Sequence, residues 1–434
     1  MGYSQNYEGT WQGKLDFGTM ALNFVVHLEQ SDGVLKATAD SPDQGAYGLQ
    51  ATASTKGDSI FIQTLGGVKI EGKKADDSTI NAIFSQNGAK VPLVLKKTTN
   101  YSKEISRPQE PKPKFPYSLK SISFQQDGNT LKGTLTLPFG KGKFPAVVLV
   151  SGSGPQNRDS ELFGHKPFLV LSDYLTRNGI AVLRYDERGV GESEGTYANS
   201  TIADFSKDVV AAFEFLKGQD NIDTHKLGII GHSEGGLIAT LLAAQALPNL
   251  SFIVSLAGPA ISIDKLMVEQ LYAVGKANGM SEFNLALARK INEANFAVAK
   301  SDMNTEDAYQ ALLKNMSITS ENKQNEALRK EMLTMLAPSQ RYFYRIETDK
   351  YLPQIYIPVF AAYGTLDVQV PSARNLKSLY DHLPKNSKTV LKEYEDLNHL
   401  FQKAQSGKVS EYAQIDETFN EQVMKDISNW IKDL

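Results

Sequence analysis

The chain has no cysteine. That excludes disulfides, cysteine-bound zinc, iron–sulfur clusters and a thiol nucleophile together, so any chemistry must use oxygen, nitrogen or a loosely held ion. A charge excess is missing too. Its 46 Lys and Arg stand against 49 Asp and Glu, a net charge of −3, too weak a field of either sign to favour nucleic acid or an anionic membrane surface as partner. No apolar run approaches the roughly 18 residues that cross a bilayer. Glycine, at 33 residues elsewhere frequent, is absent from Met280 to Tyr363. A secretory leader is also lacking, and a first strand begins only a few residues after Met1-Gly2. We therefore expect a mature end with the leader removed and a periplasmic or secreted protein, a cytoplasmic one remaining open. What the chain does have is a hydrophobic content of 41% with 20 Phe and 18 Tyr over 434 residues, enough for large cores in two or three units.

Residues 1–100 read as a small all-β domain. Between Tyr7 and Lys96 about eight short segments alternate, as with Leu22, Phe24, Val26 and Leu28 against Asn23, His27 and Glu29. Asp32-Gly33, Gly57-Asp58, Asp76-Asp77 and Asn87-Gly88 fall between the segments, where turns favour such residues. A barrel is the natural reading, with His27 a solvated residue of a polar strand face. Residues 101–117 then read as a spacer, since four of the 17 prolines fall between Pro108 and Pro116.

From 118 to 434 the pattern becomes strand–helix alternation. A hairpin at Ser121–Gln126 and Leu131–Leu137 precedes apolar runs at Pro145–Val150, Ala181–Tyr185, Lys226–Ile230, Phe252–Leu256, Ile355–Tyr363 and Thr389–Tyr394. Such runs suit a mostly parallel, doubly wound α/β sheet covered on both faces. Helical spacing fills the gaps, as in Ile202, Phe205, Val209, Phe213 and Leu216, and in Ile415, Phe419, Val423, Ile427, Trp430 and Ile431. The glycine-free stretch predicts a helical cap over about 261–350, at the carboxyl edge of the sheet where open α/β folds bind ligands.

Two segments match the Gly-x-Ser-x-Gly nucleophile elbow. Ser233 lies between the strand-like Lys226–Ile230 and an apolar helix, the context an elbow requires. Ser193 lies in a charged turn with no helix at once, and reads as a loop residue. A serine hydroxyl needs a base to take its proton and an acid to orient that base. Of the six histidines (His27, His165, His225, His232, His382 and His399), only His382 and His399 follow Ser233. His382 sits in a surface-helix pattern, whereas His399 lies just past a strand and is the candidate base. Asp367, directly after another strand, is the candidate acid. Asp396 is a weaker rival, and Asp159 and Asp186 suit turn or pocket structure. The oxyanion needs two backbone donors. These are assigned to Glu234 at the helix start and to Ser153, with Gly152, in the loop Ser151–Asp159. Arg158 and Arg341 read as structural pairing residues rather than contacts to a substrate carboxylate.

In that order Ser233, Asp367 and His399 resemble the α/β-hydrolase superfamily, and more closely bacterial serine esterases near the dienelactone hydrolase and acyl-peptidase branch. The motifs are SGSGPQNRD from Ser151, YDERGVGES from Tyr185, GHSEGG from Gly231, GTLDVQVP from Gly364 and LNHLF from Leu397. The resemblance implies a serine carboxylesterase working through a covalent acyl-enzyme on small-molecule esters of short to medium acyl chain, with no metal or organic cofactor. Where many relatives carry His-Gly, this chain has Ser151-Gly152. The GTWQG opening from Gly9 resembles lipocalin-like modules. An aminoacyl-peptidase of the same fold, or a binding protein with an accessory hydrolase domain, are the alternatives; about 100 residues of strands cannot build the propeller that peptidases of this branch carry.

Overall fold

The structure, a computed structural model, describes residues 7–16, 21–31, 34–44, 46–64, 67–86, 89–99, 101, 107–318 and 326–434. The chain divides into two compact units. One holds the N-terminal strands with Leu162–Gly164 and Ser410–Asp416; the other holds Arg107–Glu161, His165–Val409 and Glu417–Leu434.

In the first unit β1 (Gly9–Asp16), β2 (Ala21–Ser31), β3 (Val34–Ser41), β4 (Ala46–Lys56), β5 (Ser59–Thr64), β6 (Lys69–Asp76), β7 (Thr79–Gln86) and β8 (Ala89–Thr98) form a closed antiparallel barrel. Sequence neighbours pair, and β1 closes on β8. Alternation sends Ile80, Ala82 and Phe84 inward from β7 while Ile83 faces out. Trp11, Phe24, Ile60, Ile70 and Leu93 help fill the interior. The Trp11 indole N–H donates to the Tyr7 carbonyl at 2.8 Å, so its burial leaves no donor unpaired. Gly57-Asp58 begins and ends the turn between β4 and β5, while Asp76 closes β6 and the turn after it falls on Asp77 and Ser78. Asp32-Gly33 and Asn87-Gly88 lie outside the described residues.

His27 departs from expectation. It is not simply solvated: Nε2 lies 2.9 Å from Asp40 Oδ2 and Nδ1 3.1 Å from Thr10 Oγ1, bonds between three neighbouring strands. The Asp40 carboxylate, 1% exposed, also accepts from the Tyr101 hydroxyl and the Gly48 amide. Strand alternation shows which face a residue takes, not its neighbours across the sheet.

The proline-rich stretch differs as well. Residues 102–106 lie outside the described residues, but from Arg107 the chain is part of the second unit rather than a spacer. The Gln109 side chain accepts from the amides of Thr418 (2.6 Å) and Phe419 (3.0 Å) and donates to the Phe419 carbonyl (2.7 Å). Those bonds replace water for a segment whose prolines cannot join a ladder.

The second unit is built on an eight-stranded sheet. Its strands are β9 (Tyr117–Gln126), β10 (Asn129–Pro138), β11 (Phe144–Val150), β12 (Ala181–Tyr185), β13 (Ile222–His232), β14 (Phe252–Leu256), β15 (Val359–Gly364) and β16 (Val390–Tyr394), in the order β16-β15-β14-β13-β11-β12-β10-β9. The β9–β10 hairpin joins antiparallel, and all pairs from β12 to β16 are parallel. The helices are α1 (Pro167–Arg177), α2 (Ile202–Lys217), α3 (Glu234–Ala244), α4 (Ile263–Ala277), α5 (Glu282–Ala299), α6 (Thr305–Asn315), α7 (Glu326–Met335), α8 (Pro338–Tyr344), α9 (Ser372–His382) and α10 (Glu421–Asp433). Helices α4 to α8 are inserted between β14 and β15, where the glycine-free stretch places them.

Two ends moved. The run from Ile355 yields a strand only from Val359, because Leu352–Gln354 forms a 3-10 turn and Pro358 has no N–H for a ladder. The C-terminal helix excludes Ile415 and Phe419, since Asn420 caps it by accepting from the Gln422 amide.

Helix α3 is apolar on every side and buried along Gly235–Ala244, which makes it the central helix of the layer. Its start runs so close to β11 that a Cβ on Gly235 would collide with the carbonyl oxygens of Val150 and Ser151. Gly235→Ala should therefore cost about 2 kcal/mol or more in chemical denaturation, as overpacking against rigid backbone does. A loss below about 0.5 kcal/mol would show that the contact is soft.

Candidate active site

Ser233 occupies the turn between β13 and α3. Its backbone sits at φ 54°, ψ −116°, a conformation costly for a residue with a side chain. Surrounding contacts hold it there. The Ser233 amide donates to the Leu256 carbonyl at 2.8 Å, its carbonyl accepts from Gly236 at 2.9 Å, and Gly231 and Gly235 lie too close together to admit a Cβ. The turn thus projects Ser233 from the carboxyl edge of the sheet.

The base and acid come from neighbouring strands. Asp367 follows β15 and His399 follows β16; they are 5% and 4% exposed. His399 Nδ1 lies 2.8 Å from Asp367 Oδ2. The other carboxylate oxygen accepts the amides of Gln369 and Val370 at 2.8 and 2.9 Å, which fixes the plane of the acid. An ionised carboxylate only accepts, so Nδ1 carries the imidazole proton and Nε2 is left as the basic nitrogen. Asp396 is exposed, and its amide donates to Thr365 Oγ1, so nothing places it beside the imidazole.

His232 was not assigned a role from sequence. Its Nε2–H donates to the His399 carbonyl at 2.8 Å, and the two rings lie 4.7 Å apart. Burial, with the neighbouring His399 adding to it, pushes its pKa down to about 3. The residue before the nucleophile thus braces the loop that carries the base. Its place inside the elbow motif marked it for proximity to the site, but no sequence signal names its partner.

The loop after β11 brings Gly152 against the nucleophile: a Cβ there would lie 3.2 Å from Ser233 Cβ. Ser153 is exposed, and no acceptor among the described residues takes its amide. The Glu234 amide, first in α3, has no acceptor within the helix. A cavity of about 360 Å³ borders Ser233, with Ser153, Tyr197, Thr201 and Glu234 on one side and Leu266, Met267, Gln270 and Phe343 of the inserted helices on the other. Burial raises the Glu234 carboxyl to about 7.

Other sequence candidates lie elsewhere. Ser193 accepts the Lys132 amide at 2.9 Å and donates to the Asp186 carbonyl at 2.7 Å, a turn-pinning role. Arg158 forks onto Asp186 and also reaches Glu192, while Arg184 pairs with Asp159. Arg341 donates to the carbonyls of Ser301 and Met303. His382 ends α9, its Nδ1 turned to the Ser378 carbonyl. His165 is buried and bonded to Thr418 and Gln402.

A family model described as serine aminopeptidase, S33, matches residues 166–403, more than half of the chain. The chain belongs to that family. It is accordingly a hydrolase of the α/β-hydrolase fold. Among curated relatives, the family member is similar to esterase EstD of Thermotoga maritima, 26% identical over 332 residues, covering 75% of this chain and 70% of EstD. It also matches the human mitochondrial palmitoyl-protein thioesterase ABHD10, 31% identical over 129 residues, which is 30% of this chain and 37% of that one. Of solved structures, the Pyrococcus furiosus esterase PF2001 superposes with a TM-score of 0.45 at 16% identity, over 77% of this chain and 99% of that one. No helix among the described residues is long and apolar enough to cross a membrane.

The depressed His232 sets a pH dependence. Unfolded, the imidazole takes a proton near its ordinary value of 6.5; folded, it does not until about 3. The stability this buried neutral ring contributes is present above about 6.5 and is lost progressively as pH falls towards 3. Between pH 7 and pH 5 the wild type should lose about 1–2 kcal/mol more than His232→Asn, which cannot titrate. Parallel denaturation curves at the two pH values would refute the assignment.

Proposed function

We propose that this hydrolase cleaves carboxylic esters of short to medium acyl chain through an acyl-enzyme on Ser233. The observation that carries the reading is the pairing of a strained, cavity-lining Ser233 with a buried His399 oriented by Asp367. His399 Nε2 takes the Ser233 hydroxyl proton as Oγ bonds to the ester carbonyl carbon. The tetrahedral oxyanion is held by the amides of Glu234 and Ser153, with Gly152 leaving the approach open. When the C–O bond to the leaving alkoxide breaks, the imidazolium returns the proton to it. Water, deprotonated by the same nitrogen, then attacks the acyl carbon and releases the acid with Ser233 restored. The inserted helices act as a cap, since they supply one wall of the cavity. Similarity to EstD along most of its length supports ester over amide cleavage.

A second reading, hydrolysis of aminoacyl amides, is supported by the description of the matching family. The same triad would serve it, and a panel of nitrophenyl esters and aminoacyl nitroanilides separates the two.

Ser233→Ala should reduce nitrophenyl acetate hydrolysis to background, and Asp367→Asn should lower kcat by about 10²–10⁴-fold by releasing the imidazole from the needed tautomer. Hydrolysis that survives Ser233→Ala defeats the reading. Ser193→Ala gives the opposite profile: activity within about threefold of wild type, with about 1–2 kcal/mol of stability lost from its two buried bonds.

A further inference from the structure

The loop that presents Gly152 and Ser153 is tied across its base by one carboxyl group. Glu187, 9% exposed in the turn after β12, takes Ser151 on one oxygen and Gln156 on the other. Ser151 Oγ lies 2.6 Å from Oε1, the Gln156 amide donates to Oε2 at 2.9 Å, and the Glu187 amide donates back to the Gln156 carbonyl at 3.2 Å. The two ends of Ser151–Gln156 are thus stapled, leaving Gly152 to Pro155 as a short arch. A second tie holds the arch itself, where the Gly154 amide donates to the Tyr197 hydroxyl at 2.8 Å. Glu187 does not line the cavity, so it is not placed to touch substrate.

We propose that Glu187 is a positioning residue for ester hydrolysis, which through its bonds to Ser151 and Gln156 sets the direction of the Ser153 amide in the oxyanion hole. This rests on the reading of Ser153 as an oxyanion donor. It also explains what Ser151 does at a position where many relatives carry histidine: its hydroxyl faces the staple. The remainder of the loop has its own anchors, Arg158 on Asp186 and Asp159 on Arg184, so loosening the staple leaves the sheet intact.

The charge state suits the task. Burial pushes the Glu187 carboxyl up to about 8, so at neutral pH it is a protonated acid. The groups facing it reinforce this: Glu234 on α3, Asp208 on α2, and the phenols of Tyr185 and Tyr197. The nearby cation Arg188 is committed to Asp208 by two bonds of 2.6 and 2.7 Å. A neutral acid can give its proton to Ser151 Oγ and accept from the Gln156 amide with the other oxygen, and it adds no charge where an oxyanion must form. Glutamine reproduces that donor and acceptor pair.

The test is steady-state hydrolysis of nitrophenyl acetate by Glu187→Gln, Glu187→Ala and Ser151→Ala across pH 6 to 9, with Ser233→Ala as control. Glu187→Ala should lower kcat by at least about 30-fold with KM within about threefold, because an oxyanion donor acts on the transition state rather than on binding. Glu187→Gln should keep kcat within about threefold at pH 7 and lack the fall that the wild type shows as pH rises through about 8. Ser151→Ala, which keeps half of the staple, should fall between them, and it carries the test with Glu187→Gln if the alanine variant does not fold. The inference is overturned if Glu187→Ala retains wild-type kcat, if it raises KM alone, or if Glu187→Gln is as impaired as alanine. Should Ser233→Ala retain activity, the failure lies instead with the proposed acyl-enzyme reaction.

Discussion

One backbone conformation governs the carboxyl edge of this sheet: the left-handed turn at Ser233. A serine at φ 54° is held against its preference because strand, turn and helix are packed backbone to backbone around it. Glycine at 231 and 235 is the condition for that packing, since either side chain would meet a carbonyl. The reward is geometric. The helix begins at Glu234 with its first amides unclaimed and directed to the place the serine hydroxyl occupies, and His232 and Glu234 are thrown to opposite sides of the nucleophile.

Each remaining part of the site is held by a group that is itself buried and bonded. Asp367 is fixed by two amides, His399 by Asp367 on its ring and by His232 on its carbonyl, and the oxyanion loop by Glu187 and Tyr197. Such bonds leave few ways to arrange the loops, because breaking one strands a polar group away from water. The cost is a set of displaced protonation equilibria. His232 stays neutral far below its usual range, and Glu187 and Glu234 stay protonated far above theirs. In an oxyanion site neutrality at these acids is an advantage, since ionised carboxylates would oppose the developing charge.

The parts legible in the sequence are those set by local pattern. Apolar runs located β12 and β14 to the residue, and strand-turn-helix context separated Ser233 from Ser193, although both carry the same motif. Asp367 and His399 could be named because each follows a strand, which places them at one edge of a parallel sheet. What could not be read depends on contacts between distant segments. Gln109 binds residues some three hundred positions away, His27 finds Asp40 across a strand pair, and Glu187 finds the oxyanion loop from the next strand. No spacing encodes such partners. Element ends were displaced for smaller reasons, Pro358 delaying β15 and Asn420 starting α10 late.

The central claim is that Ser233 is the group acylated during turnover. Reaction with a fluorophosphonate, which phosphorylates a serine only when a neighbouring base activates it, followed by peptide mass spectrometry, addresses it directly. The account predicts a single adduct on Ser233, blocked by prior incubation with an ester substrate. An adduct on Ser193, or none on Ser233 while ester hydrolysis continues, would contradict it.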